Sequence, residues 1–398
     1  MKRTVTFGAV GDIAFSRTVG RDIAKHGFDW PFAKMLPHLR KADLLCGNME
    51  SITLPAEYPD DQIDPAGLVG KLDGTPALQA GGFDVMVLAN NHVLDGGQVG
   101  MFHTRRIIED LGIATVGVGA TQREARTMRT LERGGIRFGF LAYCEDSNYS
   151  LTTTGPCHAF YRLGDVLTDV AANRDKVDVL VVTIHADLEF SETPSLPRRD
   201  ASRLIAQAGA SILIQHHPHV PQGVEMVNGC LIAYSLGNFY FPAHSMPYMK
   251  DNGPHTAHSF LLLAEVSKKG VQSFTRVPFA IAESPNERPA PLQGKARLAM
   301  LRYLAQLDLQ CQDDDLVRQN WREISVRHLK TYLQRVMDKG YSQDALLDDV
   351  LGRLLFVQEN RLWVEEAFSV IRDNWASQAQ RVDPLHRPSR YFAKKFGY

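Results

Sequence analysis

The sequence predicts an α/β protein with a mixed sheet system, followed by a helical C-terminal region. Three observations carry that expectation. Short runs of Val, Ile, Leu and Phe recur between Met1 and about Glu283, with amphipathic helical patterns between several of them. Each run is apolar almost throughout, as strands covered on both faces are. After a proline-rich stretch at 283–294 the apolar residues take up helical spacing.

Taken in order, the expected strands are "TVTFGAV" (4–10), "DLLC" (43–46), "FDVMVLA" (83–89), "IATVGVG" (113–119), "IRFGFLAY" (136–143), "DVLVVTIH" (178–185) and "SILIQ" (211–215). Segments 97–112 and 195–210 read as helices between them, so much of the sheet is expected to be parallel. Later, "GVEMVNGCLIAYSLGNFYF" (223–241) holds Asn228-Gly229 between apolar stretches, a hairpin signal. Residues 258–282 read as a second hairpin turning at Lys269-Gly270. The stretch "ESPNERPAPLQG" (283–294) reads as a linker. Leu298, Leu301 and Leu304 open a helical pattern, and Leu329, Leu333 and Val336 form a face ended by Gly340. Ser342 suits the cap of a helix with the stripe Leu347, Val350, Leu351 and Leu354. Leu362, Phe368, Ile371 and Trp375 suggest one more helix. The Met and aromatic residues of this region are read as core.

The bulk numbers exclude several classes. The chain has 398 residues, 44% hydrophobic and 22% charged, with a formal net charge of −1. A nucleic-acid binder would normally carry a basic surplus or stripe, so none is expected as partner. Cys46, Cys144, Cys157, Cys230 and Cys311 are odd in number, widely spaced and without a CxxC pair, which fits a reducing compartment. The start "MKRTVTFGAVGD" runs into Gly11-Asp12 without a small-residue cleavage site and reads as a first strand. No unbroken apolar stretch reaches the roughly 18 residues of a membrane span. A cytoplasmic protein is the expectation.

The polar residues that trail the apolar runs suggest the chemistry. After the first run comes Asp12; after the second, Asn48 and Glu50; after the third, Asn90, Asn91 and His92. His185 ends the sixth run, and His216, His217 and His219 come after the seventh. In α/β sheets, ligands gather beyond the carboxyl ends of the strands. Each residue has a plainer explanation: Asp12 as a helix cap, Asn90-Asn91 as a turn, Glu50 as a loop acid, His185 as a hydrogen-bonded core histidine. Independent accidents would not all choose strand ends. His26, His38, His103 and His158 lack that placement and read as structural or surface residues. The donors are oxygen and imidazole nitrogen without thiolate, which leaves Mn, Fe, Zn, Co or Ni open. About six candidate ligands exceed the four of one tetrahedral zinc and point to two divalent transition metal ions. Pro218 disfavours helix, so an extended segment would present His217 and His219 on one side.

The segments "GDIAFSR", "GNMES", "LANNHVLDGG", "HADLEF", "HHPHV" and "YSLGNF" together resemble the capsule-synthesis CapA family, within the calcineurin-like metallophosphoesterase superfamily. The resemblance spans about residues 4–282. It implies a four-layer α/β/β/α sandwich and a metallophosphoesterase-like domain at 1–283; the helical region at 295–398 lies outside it. It implies a dinuclear site in which Asp12 and His219 bind the first metal, Glu50 bridges, and Asn91, His185 and His217 bind the second. By the same resemblance His92 is the proton donor, Asp95 orients it, and Arg17, Asn238 and His216 lie where an anionic substrate is held. The superfamily opens with Asp-x-His, whereas Asp12 is followed here by Ile13-Ala14. The family often shows His-Trp-Gly-x-Glu where this chain reads "HADLE".

The expected function is metal-dependent hydrolysis of a phosphate ester, on a phosphorylated small molecule or polymer. Two alternatives compete. One is a non-catalytic component of a poly-γ-glutamate or capsular polymer assembly, with the C-terminal helices contacting a partner or a second copy. The other is a polyanion-binding module using the basic, aromatic tail "HRPSRYFAKKFGY" (386–398).

Overall fold

The computed structural model describes residues 4–145, 155–283, 286–350, 354 and 358–379. Two large β-sheets stand face to face. The first runs in the order Pro289–Pro291, Gly270–Ile281, His258–Ser267, Val5–Ile13, Leu44–Met49, Val85–Val87, Ala114–Val116, with Asn238–Tyr240 also paired to Val5–Ile13. Its half from Val5 to Val116 is parallel; the strands beyond His258 are antiparallel. The second sheet runs Val224–Val227, Cys230–Ala233, Ile212–His216, Val179–His185, Ile136–Cys144, Arg129–Arg133, parallel at its centre.

The two-residue period of a strand explains the layering. Val5, Phe7 and Ala9 turn inward and meet Phe138, Phe140, Val179, Val181, Ile212 and Ile214 in a core between the sheets. The Phe7 and Phe138 rings stack with centroids 6.4 Å apart. Each such buried side chain contributes roughly 1.5–3 kcal/mol, so this seam of large apolar groups holds the sheets together. Intervening residues face outward. Val10 and Ile13 pack with Val19 and Ile23 of helix Arg17–His26 and Met101 of helix Gly97–Asp110. Leu180, Val182 and Ile184 pack with Val166 of helix Leu163–Asn173 and Ile205 of helix Leu196–Ala208. The result is a four-layer α/β/β/α sandwich, as expected. The helix Leu196–Ala208 illustrates its local causes: the Ser195 side chain accepts from the Arg198 N–H, proline lies in its first turn, and Gly209 at φ +116° ends it.

Asn228 and Gly229, both at positive φ, join Val224–Val227 to Cys230–Ala233 as a tight hairpin. The second hairpin turns at Lys268-Lys269, where Ser267 faces Gly270. Other expectations need correction. The run 113–119 is two strands: Gly117 at φ +96° breaks it, and Val118–Gly119 pairs with Cys157–His158. Within 283–294, Pro289–Pro291 is an edge strand, where proline's missing N–H costs nothing. The helix Gly294–Gln312 buries Met300, Leu304, Leu307 and Cys311, while Leu298 stays exposed.

Compact units divide at Val317 and Arg318, later than the proline-rich stretch, because Gly294–Gln312 packs with strands of the first unit. In the second unit, Gly340 at φ +54° follows helix Asp314–Lys339, and the Ser342 hydroxyl accepts from the Ala345 N–H. Helix Gln358–Ala379 buries Trp363, Val364 and Ala367; Phe368 and Met337, expected in the core, are exposed. Leu351, the tail 386–398 and the Trp375 side chain lie outside the described residues. All five cysteines are buried. Among the described residues no helix is long and apolar enough to cross a membrane.

Candidate metal centre

The strand register builds the site. Across the first sheet, Asp12 stands opposite Asn48 on one side and Asn238 on the other. Across the second, His185 stands opposite His216. Asp12 is fully buried, and its backbone N–H donates to the Gly237 carbonyl at 3.0 Å. Gly11 permits this approach, since a Cβ there would lie 1.7 Å from the Gly237 oxygen.

Asn48 links the two halves. Its Nδ2 donates to Asp12 Oδ1 at 2.8 Å and lies 3.2 Å from His185 Nδ1. That contact holds the ring with Nε2 facing the cluster. There Nε2 lies 2.8 Å from Asn91 Oδ1, 3.1 Å from His217 Nδ1 and 3.7 Å from Glu50 Oε1. His219 is oriented by Asn238. Its Nδ1–H donates to Asn238 Oδ1 at 2.8 Å, leaving Nε2 3.6 Å from Glu50 Oε1 and 3.9 Å from Glu189 Oε1. Partners of this kind set the tautomer and aim of metal-binding imidazoles.

Three groups of donors converge closely enough to share a cation: Glu50, His185 and His217; Asp12, Glu50 and His219; and Glu189, His217 and His219. Within each, the donor atoms lie within 4.8 Å of one another. Glu50 is the clearest test of fit. It is fully buried, and among the described residues neither carboxylate oxygen has a hydrogen-bond partner. A buried carboxylate without partners is costly, and a cation between these groups would satisfy it.

The electrostatics agree. Burial, then the Asp12 charge, pushes the Glu50 carboxyl well above the usual carboxylate range. Burial also pushes Asp12 up, but hydrogen bonding and charge from His216, helped by His219 and Asn48, hold it below its ordinary value. Burial, reinforced by neighbouring imidazoles, drives His185 well down and His217 to about 4. Neutral imidazoles keep their lone pairs for a cation.

His92 borders this cluster. Its Nδ1–H donates to Asp95 Oδ2 at 2.8 Å, and Asp95 also accepts from the Leu68 N–H at 2.5 Å. Nε2 is then the ring atom available for proton transfer. Asn90 braces the loop, donating to the Met49 carbonyl at 2.7 Å and accepting from the His92 N–H. Arg17, exposed, donates to the Ala66 and Gly67 carbonyls. His216 and Asn238 do not face outward as substrate contacts would. Each is about 1% exposed, His216 against Asp12 and Asn238 against His219, and Asn238 also donates to the Thr256 carbonyl. His26, His38, His103 and His158 enter none of the donor groups.

Two contributors escape a reading of the sequence. Asn48 stands there only as a polar strand-end residue, and Glu189 only as part of "HADLEF". Strand-end logic stops at His185; Glu189 lies four residues later, in a loop with Asp187 and Phe190 at positive φ. His217 and His219 also have positive φ, at +101° and +57°. Strained non-glycine backbone of this kind concentrates at functional sites.

Comparison with known proteins agrees with the motif resemblance. The model of the family described as "Bacterial capsule synthesis protein PGA_cap" matches residues 6–243. The capsule biosynthesis protein CapA of Bacillus anthracis is 29% identical over 246 residues, 60% of this chain and 60% of that protein. The PGA biosynthesis protein CapA of Bacillus subtilis is 29% identical over 293 residues, 71% of this chain and 73% of that one. Among solved structures, a 5'-nucleotidase precursor from Thermus thermophilus aligns at 12% identity and a TM-score of 0.43, covering 78% of this chain and 60% of that one. With more than half of its length matched by the family model, this chain belongs to the bacterial capsule synthesis protein PGA_cap family.

Proposed function

We propose that the protein is a metal-dependent phosphoesterase acting on a phosphorylated small molecule or polymer. The observation that carries this reading is the buried, unpartnered Glu50 carboxylate between two imidazole groups and Asp12. Asp12, Glu50 and His219 would hold one divalent cation; Glu50, Asn91, His185 and His217 a second. When bound, such cations supply Lewis acidity to a phosphoryl group and to water.

The chain's own residues supply the rest. Asp95 keeps the His92 ring oriented, with Nε2 directed away from the carboxylate. His92, protonated, gives that Nε2 proton to the leaving oxygen as a water oxygen bonds to phosphorus, the ester P–O bond breaks and the water's surplus proton passes to solvent. A positioned acid of this kind contributes ~10²–10⁴-fold. Asp12, held ionised, repels a phosphate unless cations are seated. We assign Arg17, the exposed cation beside the Ala66–Gly67 loop, to hold the substrate anion.

Metal analysis of the purified protein, followed by a phosphoester panel with Mn²⁺, Fe²⁺ or Zn²⁺ added back, tests the reading. About two equivalents of cation and hydrolysis are expected. His92→Ala is expected to lower turnover ~10²–10⁴-fold with metal content intact, whereas His217→Ala loses metal. A wild-type protein that takes up no cation would overturn it. A second reading is an accessory role in polymer synthesis, without turnover. The names of the Bacillus relatives favour it, as does Ala14, which offers no donor beside Asp12. Cation uptake without hydrolysis would select it.

A further inference from the structure

Asp12, Glu50 and His219 offer three protein donors, and the buried Ala14 beside them offers none. A further carboxylate stands close. Glu189 Oε1 lies 3.9 Å from His219 Nε2, and Glu189 forms a donor group with His217 and His219. Two donors each about 2.1 Å from one ion lie at most about 4.2 Å apart, so Glu189 and His219 are spaced as ligands of a shared cation. The Glu50–His219 distance, 3.6 Å, obeys the same limit.

Other features fix Glu189 there. The Tyr248 hydroxyl donates to its second oxygen, Oε2. That leaves Oε1 turned to the histidines. The Tyr248 ring meets Phe190 edge-on at 5.1 Å, and Phe190 in turn lies over His219 at 6.3 Å. The Phe190 N–H donates to the Pro218 carbonyl at 2.8 Å, tying the Glu189 loop to the histidine loop. Asp187 accepts from the Ser195 N–H and anchors the other end. A surface glutamate is normally free to turn into water. This one, 28% exposed, is held at the mouth of the cluster by a tyrosine.

We propose that Glu189 is a ligand of a cation shared with His217 and His219, and that Tyr248 positions it. The inference rests on the metal-centre reading above and adds a donor and an orienting residue to it. An outer partner of a ligand typically changes metal affinity 10–100-fold.

The test is equilibrium dialysis with Mn²⁺ and Zn²⁺, reading stoichiometry and affinity by elemental analysis. Wild type is expected to bind two equivalents. Glu189→Gln is expected to keep one and lose the other at least tenfold in affinity, and Glu189→Asp to recover part of it. Tyr248→Phe is expected to keep both, one weakened about 10–100-fold. The metal-free variants are expected to melt as the metal-free wild type does, since both side chains are partly exposed. Two equivalents with unchanged affinity in Glu189→Gln would overturn the ligand assignment and leave the metal centre standing. No uptake by wild type would overturn both.

Discussion

His158 shows what one buried imidazole does to stability. It is fully buried on the short strand Cys157–His158, and among the described residues neither ring nitrogen has a hydrogen-bond partner. Burial alone drives its pKa down to about 3. The folded chain therefore refuses a proton that the unfolded chain accepts near pH 6.5. Stability from this group is full above pH 6.5 and falls as pH drops toward 3, by about 2 kcal/mol at pH 5. Urea unfolding at pH 7.5 and pH 5 checks it: His158→Gln is expected to narrow the gap between the two pH values by that amount. An unchanged gap would show that His158 takes up its proton in the folded state. The contrast with His185 is instructive. Its neighbours are further imidazoles and carboxylates, a setting that a cation completes, whereas the His158 ring meets Phe160 edge-on at 5.2 Å.

At the scale of elements, the critical junction is where strand Val5–Ile13 passes the Leu236-Gly237 turn. Gly237 sits at φ +67°, and the backbone of Gly11 approaches its carbonyl too closely for any side chain. Gly11→Ala is expected to destabilise by more than about 4 kcal/mol, a size reserved for mechanisms as severe as a backbone collision. Thermal unfolding reads the loss, and cation uptake should fall with it because Asp12 is displaced. A variant that melts within a few degrees of wild type would refute the account. Much of this level was legible in the sequence. Apolar runs ending in Asp12, Asn48, Asn91, His185 and His216 reveal parallel strands, and parallel strands share an edge, so the structure gathers those residues. The hairpin at Asn228-Gly229 was legible because turn chemistry is local. Glu189 and Tyr248 were not, because a loop with left-handed residues has no period to read. The edge strand Pro289–Pro291 was hidden for a different reason: proline normally argues against a strand, and only an edge position removes the objection.

At the scale of the molecule, the helix Gly294–Gln312 belongs to the sandwich. Arg276 pairs with Asp308 at 2.6 Å, Asp308 accepts from the Val224 N–H, and Cys311 packs against Gly223. Composition suggested a boundary at the prolines, but packing decides where a unit ends. The arrangement of donors over the two sheets has a thermal corollary. Asp12 lies in, and Glu50 and Asn91 follow, strands of the first sheet, while His185 ends, and His217 and His219 follow, strands of the second. The sheets resemble facing pages, and a divalent ion seated between those donors would act as the clasp. Heating would then have to break that clasp before the pages could part. Ions at ~100-fold over their dissociation constant should add about 2.7 kcal/mol, visible as a raised melting temperature that EDTA reverses. A melting curve indifferent to both would mean that no ion spans the gap.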